Sequence, residues 1–349
     1  MKEDLIKLKC TQSELDNALF RMTKNGNLEG IFVMHVDDFL FAGSETFNRA
    51  VIDPISEKYK VGRRLHEHFK YVGLNVVQNS NNTITVDQEQ YASGIEEINI
   101  NTNRKSDKEA PLNHQEANKL KSVAGQLNWL ATQTRPDLRY TALERNISKN
   151  HPTVEDLVRA NKAVRQAKNN ITKVHFPKLG LFNEWELKVF CDAAWGNLPD
   201  GVSSAQGHVI FLSGKDKNCC PISWTSNKVK RKVPSSLSAE TLSMIDSLDE
   251  AIYLSSLISE TCFDDKSYTL PVVAYTDNSS LHDNIHSTKQ AHEKRLRVNI
   301  GELRRLLENK EVKSIRWIPS SLQLADVLTK RGVNPNQILE VFERGQMEL

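Results

Sequence analysis

The C-terminal half of this 349-residue sequence predicts an α/β fold built on a mixed five-stranded sheet with helices. The first observation behind that is the order of patterns. Three short apolar runs, at 187–193, 207–213 and 222–225, precede a long helical stretch over about 238–260. A fourth run, 272–276, and a fifth, 314–318, are separated by a helical stretch over about 289–309. The second observation is where the acids fall. The first and fourth runs reach an aspartate at or near their ends, in VFCDAAW and VVAYTDN. From that end of a strand, open α/β sheets present side chains to ligands.

Upstream, residues 30–43 read GIFVMHVDDFLFAG, with apolar runs on either side of Asp37 and Asp38. That predicts a hairpin with both carboxylates at its tip. A mixed segment over 58–77 follows, then a short strand at 83–86 opened by the turn-forming pair Asn81 and Asn82. The polar stretch 101–110, NTNRKSDKEA, reads as a linker. From 115 to 170 the pattern is helical. Leu120, Val123, Leu127 and Leu130 recur at helical spacing, Pro136 opens a second helix, and Pro152 with Thr153 opens a third. These three helices are expected to pack antiparallel. From about 335 onward a weak helix or tail is expected. The expected units are 1–100, 101–180, 183–333 and a tail over 334–349.

Hydrophobic residues make up 39% of the chain, enough to build cores. No run approaches the ~18 apolar residues of a membrane span, so no membrane partner is expected. The opening MKEDLIKLKCTQSELDN is too polar for a secretory signal. With a formal net charge of +2, any surface for nucleic acid has to be local. Cys10, Cys191, Cys219, Cys220 and Cys262 are odd in number and form no CxxC pair. That argues against a zinc site or disulfide framework and for a reducing location inside the cell, cytoplasm or nucleus.

Four acids carry the functional reading: Asp192, Glu240 in SLSAETL, Asp277, and Asp326 in LQLADVLTK. Singly, each has a plain explanation. Asp192 suits a strand-end turn, Glu240 a capping box behind its serines, and Asp326 the first turn of a helix, where an acid offsets the dipole. Four independent accidents in one unit are a poor account. Carboxylates on elements this apolar need compensating charge. Two divalent cations about 4 Å apart supply it, and such a pair hydrolyses phosphodiesters by in-line attack of water.

The segments ISWTSNKVKRKVPSSLSAET, YTDN and LQLADVLTK resemble the ribonuclease H domain of copia-type retrotransposon Pol polyproteins, over residues 187–332. The resemblance implies a ribonuclease H-like sheet and two Mg²⁺ ions, with Mn²⁺ able to substitute, held by Asp192, Glu240, Asp277 and Asp326. It implies hydrolysis of the RNA strand of an RNA–DNA hybrid. The likeness extends upstream. HVDDFLFAG resembles the palm hairpin of the family's reverse transcriptase, with His35 in place of tyrosine and Asp37 and Asp38 as the polymerase carboxylates. KYVGLNVVQ resembles the segment that grips the primer, and residues 123–169 resemble the helical thumb. The implied architecture is a partial palm in 1–100, a thumb or connection in 101–180 and the nuclease in 183–333. Before Asp37, no apolar strand ending in an acid is expected, since Asp4 and Asp16 sit in polar, helix-like surroundings. A palm cut in this way is expected not to extend a primer alone, and an upstream Pol portion is an expected partner.

Lys228, Lys230, Arg231 and Lys232 lie between the third run and the Glu240 helix, placed to follow a phosphate backbone. A solvated loop is the alternative. Lys294, Arg295 and Arg297 with Arg304 and Arg305 read as an exposed basic helix face. His282, His286 and His292 fall between Asp277 and Asp326 and receive no role. The competing reading is a non-enzymatic Pol remnant that only binds nucleic acid or protein. An integrase-like enzyme is weaker, because it leaves the YVDD-like hairpin unexplained. Oligomeric state is left open.

Overall fold

The computed structural model describes residues 1–36, 38–147, 152–263, 268–287 and 293–349. Its C-terminal sheet has five strands: β1 Glu186–Ala194, β2 Ala205–Ser213, β3 Cys219–Lys228, β4 Val272–Thr276 and β5 Ser314–Trp317. Their spatial order is β3-β2-β1-β4-β5. The first three pair antiparallel, while β4 runs parallel to both β1 and β5. That order and those directions make a ribonuclease H-like sheet. β3 is much longer than the 222–225 run, because Cys219 and Cys220 extend it as buried strand residues opposite Ser213 and Leu212.

The strands read as continuous apolar runs because both faces of the sheet are covered. Leu187, Val189, Cys191 and Ile210 face the helices α1 Ser236–Cys262, α2 Ser279–His286 and α3 Lys294–Glu308, through Met244, Leu248, Leu281, Ile300 and Leu303. Phe190, Val209, Phe211, Val273 and Tyr275 face the other way, against Leu328, Ile338 and Phe342. The last two belong to α4 Asn336–Arg344. Residues expected as a weak helix or tail therefore close the second core, with Phe342 edge-on to Phe211 and Trp224. α3 starts at Lys294 rather than near 289, and residues 288–292 lie outside those described.

The plain explanations offered for two of the acids do not hold. α1 is capped by Ser235, whose hydroxyl accepts from the Ser238 N–H at 3.2 Å. Glu240 lies beyond the capping position and is not a capping-box acid. Asp326 is not one turn into an α-helix. It opens a single 3-10 turn, Asp326–Leu328, so no helix dipole calls for it.

The N-terminal unit is an antiparallel meander of Thr11–Gln12, Leu19–Lys24, Asn27–His35 and Asp38–Gly43. Phe20, Phe32, Phe47 and Val51 form its core. The hairpin closes with His35 opposite Asp38. Asp38 is exposed, and Asp37 lies outside the described residues. Asp16 is not in helical surroundings; it accepts from the Ala18 N–H in the turn before Leu19–Lys24. A second sheet joins His68–Tyr71, Leu74–Gln78, Ile84–Asp87 and, after the helical block, Val174–Phe176.

That block contains His114–Gln133, Arg139–Ile147 and Val154–Asn169. The first is opened by a capping box between Asn113 and Glu116. Pro136 opens only a 3-10 turn, and the α-helix after it starts at Arg139. The expected linker includes a short helix, Thr102–Ser106, whose Arg104 pairs with Glu116. Among the described residues, no helix is long and apolar enough to cross a membrane.

Candidate metal centre

Asp192 is carried by β1 and Asp277 immediately follows β4, the parallel neighbour, so both reach the carboxyl edge of the sheet. Glu240 comes from the first turns of α1, which packs across β1. The Ser243 hydroxyl, one turn further on, donates to the Asp192 carbonyl at 2.8 Å and fixes helix against strand. Asp192, Glu240 and Asp277 each offer an oxygen within 4.8 Å of the others.

The fourth acid, Asp326, stands outside that group. Lys330 connects it: the Lys330 ammonium is 2.6 Å from Asp326 and 3.3 Å from Asp192. The Asp326 turn can approach because β2 has a glycine opposite Asp192. A Cβ on Gly207 would sit 2.7 Å from the Leu328 Cβ and 2.9 Å from the Thr225 carbonyl. Thr329 then donates its hydroxyl to Asp192, and Gln323 reaches the Cys191 carbonyl at 3.0 Å. Asp277 accepts from the Ser320 hydroxyl at 2.6 Å, while its own carbonyl accepts from the Trp317 indole N–H at 3.0 Å.

The charges in this pocket are poorly balanced. Burial pushes the Asp192 carboxyl up to about 6; Lys330 and the Thr329 hydroxyl oppose that, and Asp326 and Asp277 reinforce it. Glu240 is driven well above the usual carboxylate range, by burial first and then by Asp192 and Asp277. Its Oε2 is buried with no hydrogen-bond partner. Burial alone would lower Lys330, but Asp192 and Asp326 outweigh it and hold the ammonium above its ordinary value. Oxygen-only donors, an orphaned buried carboxylate oxygen and mutual repulsion are what a hard divalent cation relieves, so the residues fit Mg²⁺ or Mn²⁺.

The other sequence-derived candidates fall around this centre. Lys228 ends β3 and pairs with Asp200 at 3.1 Å. Lys230, Arg231 and Lys232 are exposed in the following loop. The second basic stretch is not one exposed face. Arg304 donates to the Asn284 and Ile285 carbonyls at the end of α2, and Arg305 is bound by Glu302 and Glu311. The His282 and His286 rings lie 4.3 Å apart on α2, and His292 lies outside the described residues. Sequence reasoning missed Lys330, Thr329 and Ser320. The Asp326–Lys330 spacing of four was the available sign, since it pairs opposite charges on one side of a turn.

No protein-family model matches the chain. A transposon Ty5-1 protein of Saccharomyces cerevisiae is 28% identical over 237 residues, 64% of this chain and 74% of that protein. The retrovirus-related Pol polyprotein from transposon RE1 of Arabidopsis thaliana is 24% identical over 346 residues, 95% of this chain. Over most of its length the chain is similar to retrotransposon Pol polyproteins. It spans 22% of the length of the RE1 polyprotein, and 22% of the RE2 polyprotein from the same plant. Among solved structures, the N-terminal RNase H domain of a Mycobacterium tuberculosis protein is 13% identical with a TM-score of 0.31, covering 46% of this chain and 96% of that one. The prototype foamy virus protease-reverse transcriptase is 10% identical with a TM-score of 0.27, covering 47% of this chain and 20% of that one. The ribonuclease H-like assignment rests on the strand order and directions given above.

Proposed function

We propose that residues 183–333 are a divalent-cation-dependent nuclease that hydrolyses the RNA strand of an RNA–DNA hybrid. The observation that carries the reading is the cluster of Asp192, Glu240 and Asp277, with one buried Glu240 oxygen left without a partner. Kinship with Pol polyproteins supports the hybrid as substrate. Asp192, Glu240, Asp277 and Asp326 would hold the cations. When bound, these supply Lewis-acid activation of water and charge stabilisation of a phosphodiester at both its entering and leaving oxygens.

The chain's own residues do the rest. Ser320 and Thr329 fix the rotamers of Asp277 and Asp192. Lys330 supplies a positive charge shared between Asp192 and Asp326. Lys230, Arg231 and Lys232 offer a cationic loop to the phosphate backbone. In the same reading, 1–100 is palm-like, 101–180 a thumb or connection, and 334–349 the segment that closes the second core of the nuclease. Among the described residues, no group of three or more potential metal ligands includes Asp38, and templated polymerisation by this chain is not part of the proposal.

The test is cleavage of an RNA–DNA hybrid by the whole chain with Mg²⁺ or Mn²⁺, against the same mixture with chelator. Wild type should cut the RNA strand only with the cation, and Asp277→Asn should lose at least about a hundredfold in rate. Equal cleavage by Asp277→Asn and wild type would remove the assignment. Hybrid binding without cleavage under any divalent cation would favour the non-enzymatic reading.

A further inference from the structure

Two tryptophans stand exposed at the edge that carries the carboxylates. Of the five in the chain, Trp195 is 53% exposed and Trp317 49%, while the others are at least partly buried. β1, β4 and β5 run parallel, so their carboxyl ends share one edge with β4 in the middle. Trp195 is the residue after β1. Trp317 is the last residue of β5 and pairs with Thr276, next to Asp277. The two therefore lie on the strands either side of the one that leads to Asp277, two strand spacings or about 10 Å apart across the sheet, with Trp317 level with Thr276 and Trp195 three residues beyond Asp192 along β1.

Both rings are exposed yet fixed. The Trp195 indole N–H donates to the Val233 carbonyl at 2.9 Å, and that of Trp317 to the Asp277 carbonyl at 3.0 Å. Val233 directly follows Lys230, Arg231 and Lys232, so the Trp195 ring is tied to the cationic loop. A half-exposed indole contributes little burial to folding, and holding it in one orientation costs side-chain entropy. A ring oriented in this way at the rim of a site is matched to a ligand with flat faces and apolar edges. Nucleotides have both, and aromatic side chains stack on them without regard to sequence.

We propose that Trp195 and Trp317 are substrate-positioning residues that grip a nucleic-acid strand on either side of the phosphate presented to the carboxylates. Their indole faces pack on its sugars and bases, while the 228–232 cations meet its phosphates. The proposal rests on the nuclease reading above. It adds an aromatic contribution to affinity that charge alone does not give.

The test uses the full chain with an RNA–DNA hybrid in Mg²⁺, together with intrinsic tryptophan emission during hybrid titration in chelator. Trp195→Ala and Trp317→Ala should each raise KM by about tenfold with kcat within about twofold. The double variant should raise KM further, and the Phe variants should keep most of the affinity. Melting temperatures should stay close to wild type, and hybrid should quench wild-type emission. If wild type does not cleave, the nuclease reading fails and takes this proposal with it. If wild type cleaves and both Ala variants keep its KM, the proposal alone is overturned and the rings are merely exposed. If an Ala variant misfolds, unquenched wild-type emission or a Phe variant as weak as no ring overturns it equally.

Discussion

Asp192 has almost no exposed surface, yet it lies at the centre of four acids. Without a cation, its carboxyl is pushed up to about 6 from an ordinary 3.8. Between those values the native state keeps a proton that the unfolded chain has released. Stability therefore falls as pH rises through that window, and the full penalty applies above it. The ceiling on that penalty is about 3 kcal/mol, with Lys330 and Thr329 already counted against it. Asp192→Asn removes the charge. In chelator the variant should melt above wild type at pH 7.5, and the gap should close towards pH 4. Adding Mg²⁺ should reverse the order, since only wild type retains the full ligand set. A variant that melts below wild type in chelator at pH 7.5 contradicts this charge balance. The four acids were legible because their contexts are apolar. The Asp326–Lys330 spacing signalled that pair alone; the reach of Lys330 and Thr329 to Asp192 was not legible, because nothing in LADVLTK tells that the turn carrying them passes over Gly207 and reaches β1.

The elements show where local pattern suffices and where it does not. The hairpin around Asp38 and the strands β1, β2 and β4 follow from apolar runs with clear ends. Val174–Phe176 does not, since three residues carry no period and its place was decided by pairing with Ile84–Asp87. α4 was underestimated because its apolar residues have value only against Phe211 and Trp224. In the helical block, Pro136 marked the right place but the wrong element. The turn there is organised by Arg135, which is buried and forks onto Asp137 at 2.8 and 2.7 Å. The same guanidinium caps the Val154–Asn169 helix by donating to the Ala167 carbonyl at 2.9 Å. Asp137→Ala strands a buried guanidinium and should cost about 3–5 kcal/mol. Urea unfolding of the whole chain, followed by circular dichroism, checks this. A loss under about 1 kcal/mol would mean that the pair is not the keystone of the block.

Across the whole molecule, the N-terminal meander is attached to the far end of α1, the helix that supplies Glu240. Glu260 accepts from the Ser13 hydroxyl at 2.6 Å and from the Glu14 N–H at 2.7 Å, and Tyr253 donates to the Leu15 carbonyl at 3.4 Å. Sequence could not reveal this junction, because its partners lie some 240 positions apart and are ordinary polar residues. Glu260→Ala should speed hydrogen exchange in Leu19–Lys24 by roughly fivefold, the factor that about 1 kcal/mol confers. Exchange in β1 should stay unchanged. Equal exchange in variant and wild type would mean that the meander is held by other contacts.

The central claim is that Asp192, Glu240 and Asp277 form a cation site. Its most direct test is Mn²⁺ binding to the whole chain, read by electron paramagnetic resonance of the free ion. Wild type should take up Mn²⁺ in competition with Mg²⁺, and Asp277→Asn and Glu240→Gln should each lose most of that uptake. Uptake unchanged in both variants, or none in wild type at millimolar Mn²⁺, would contradict the account.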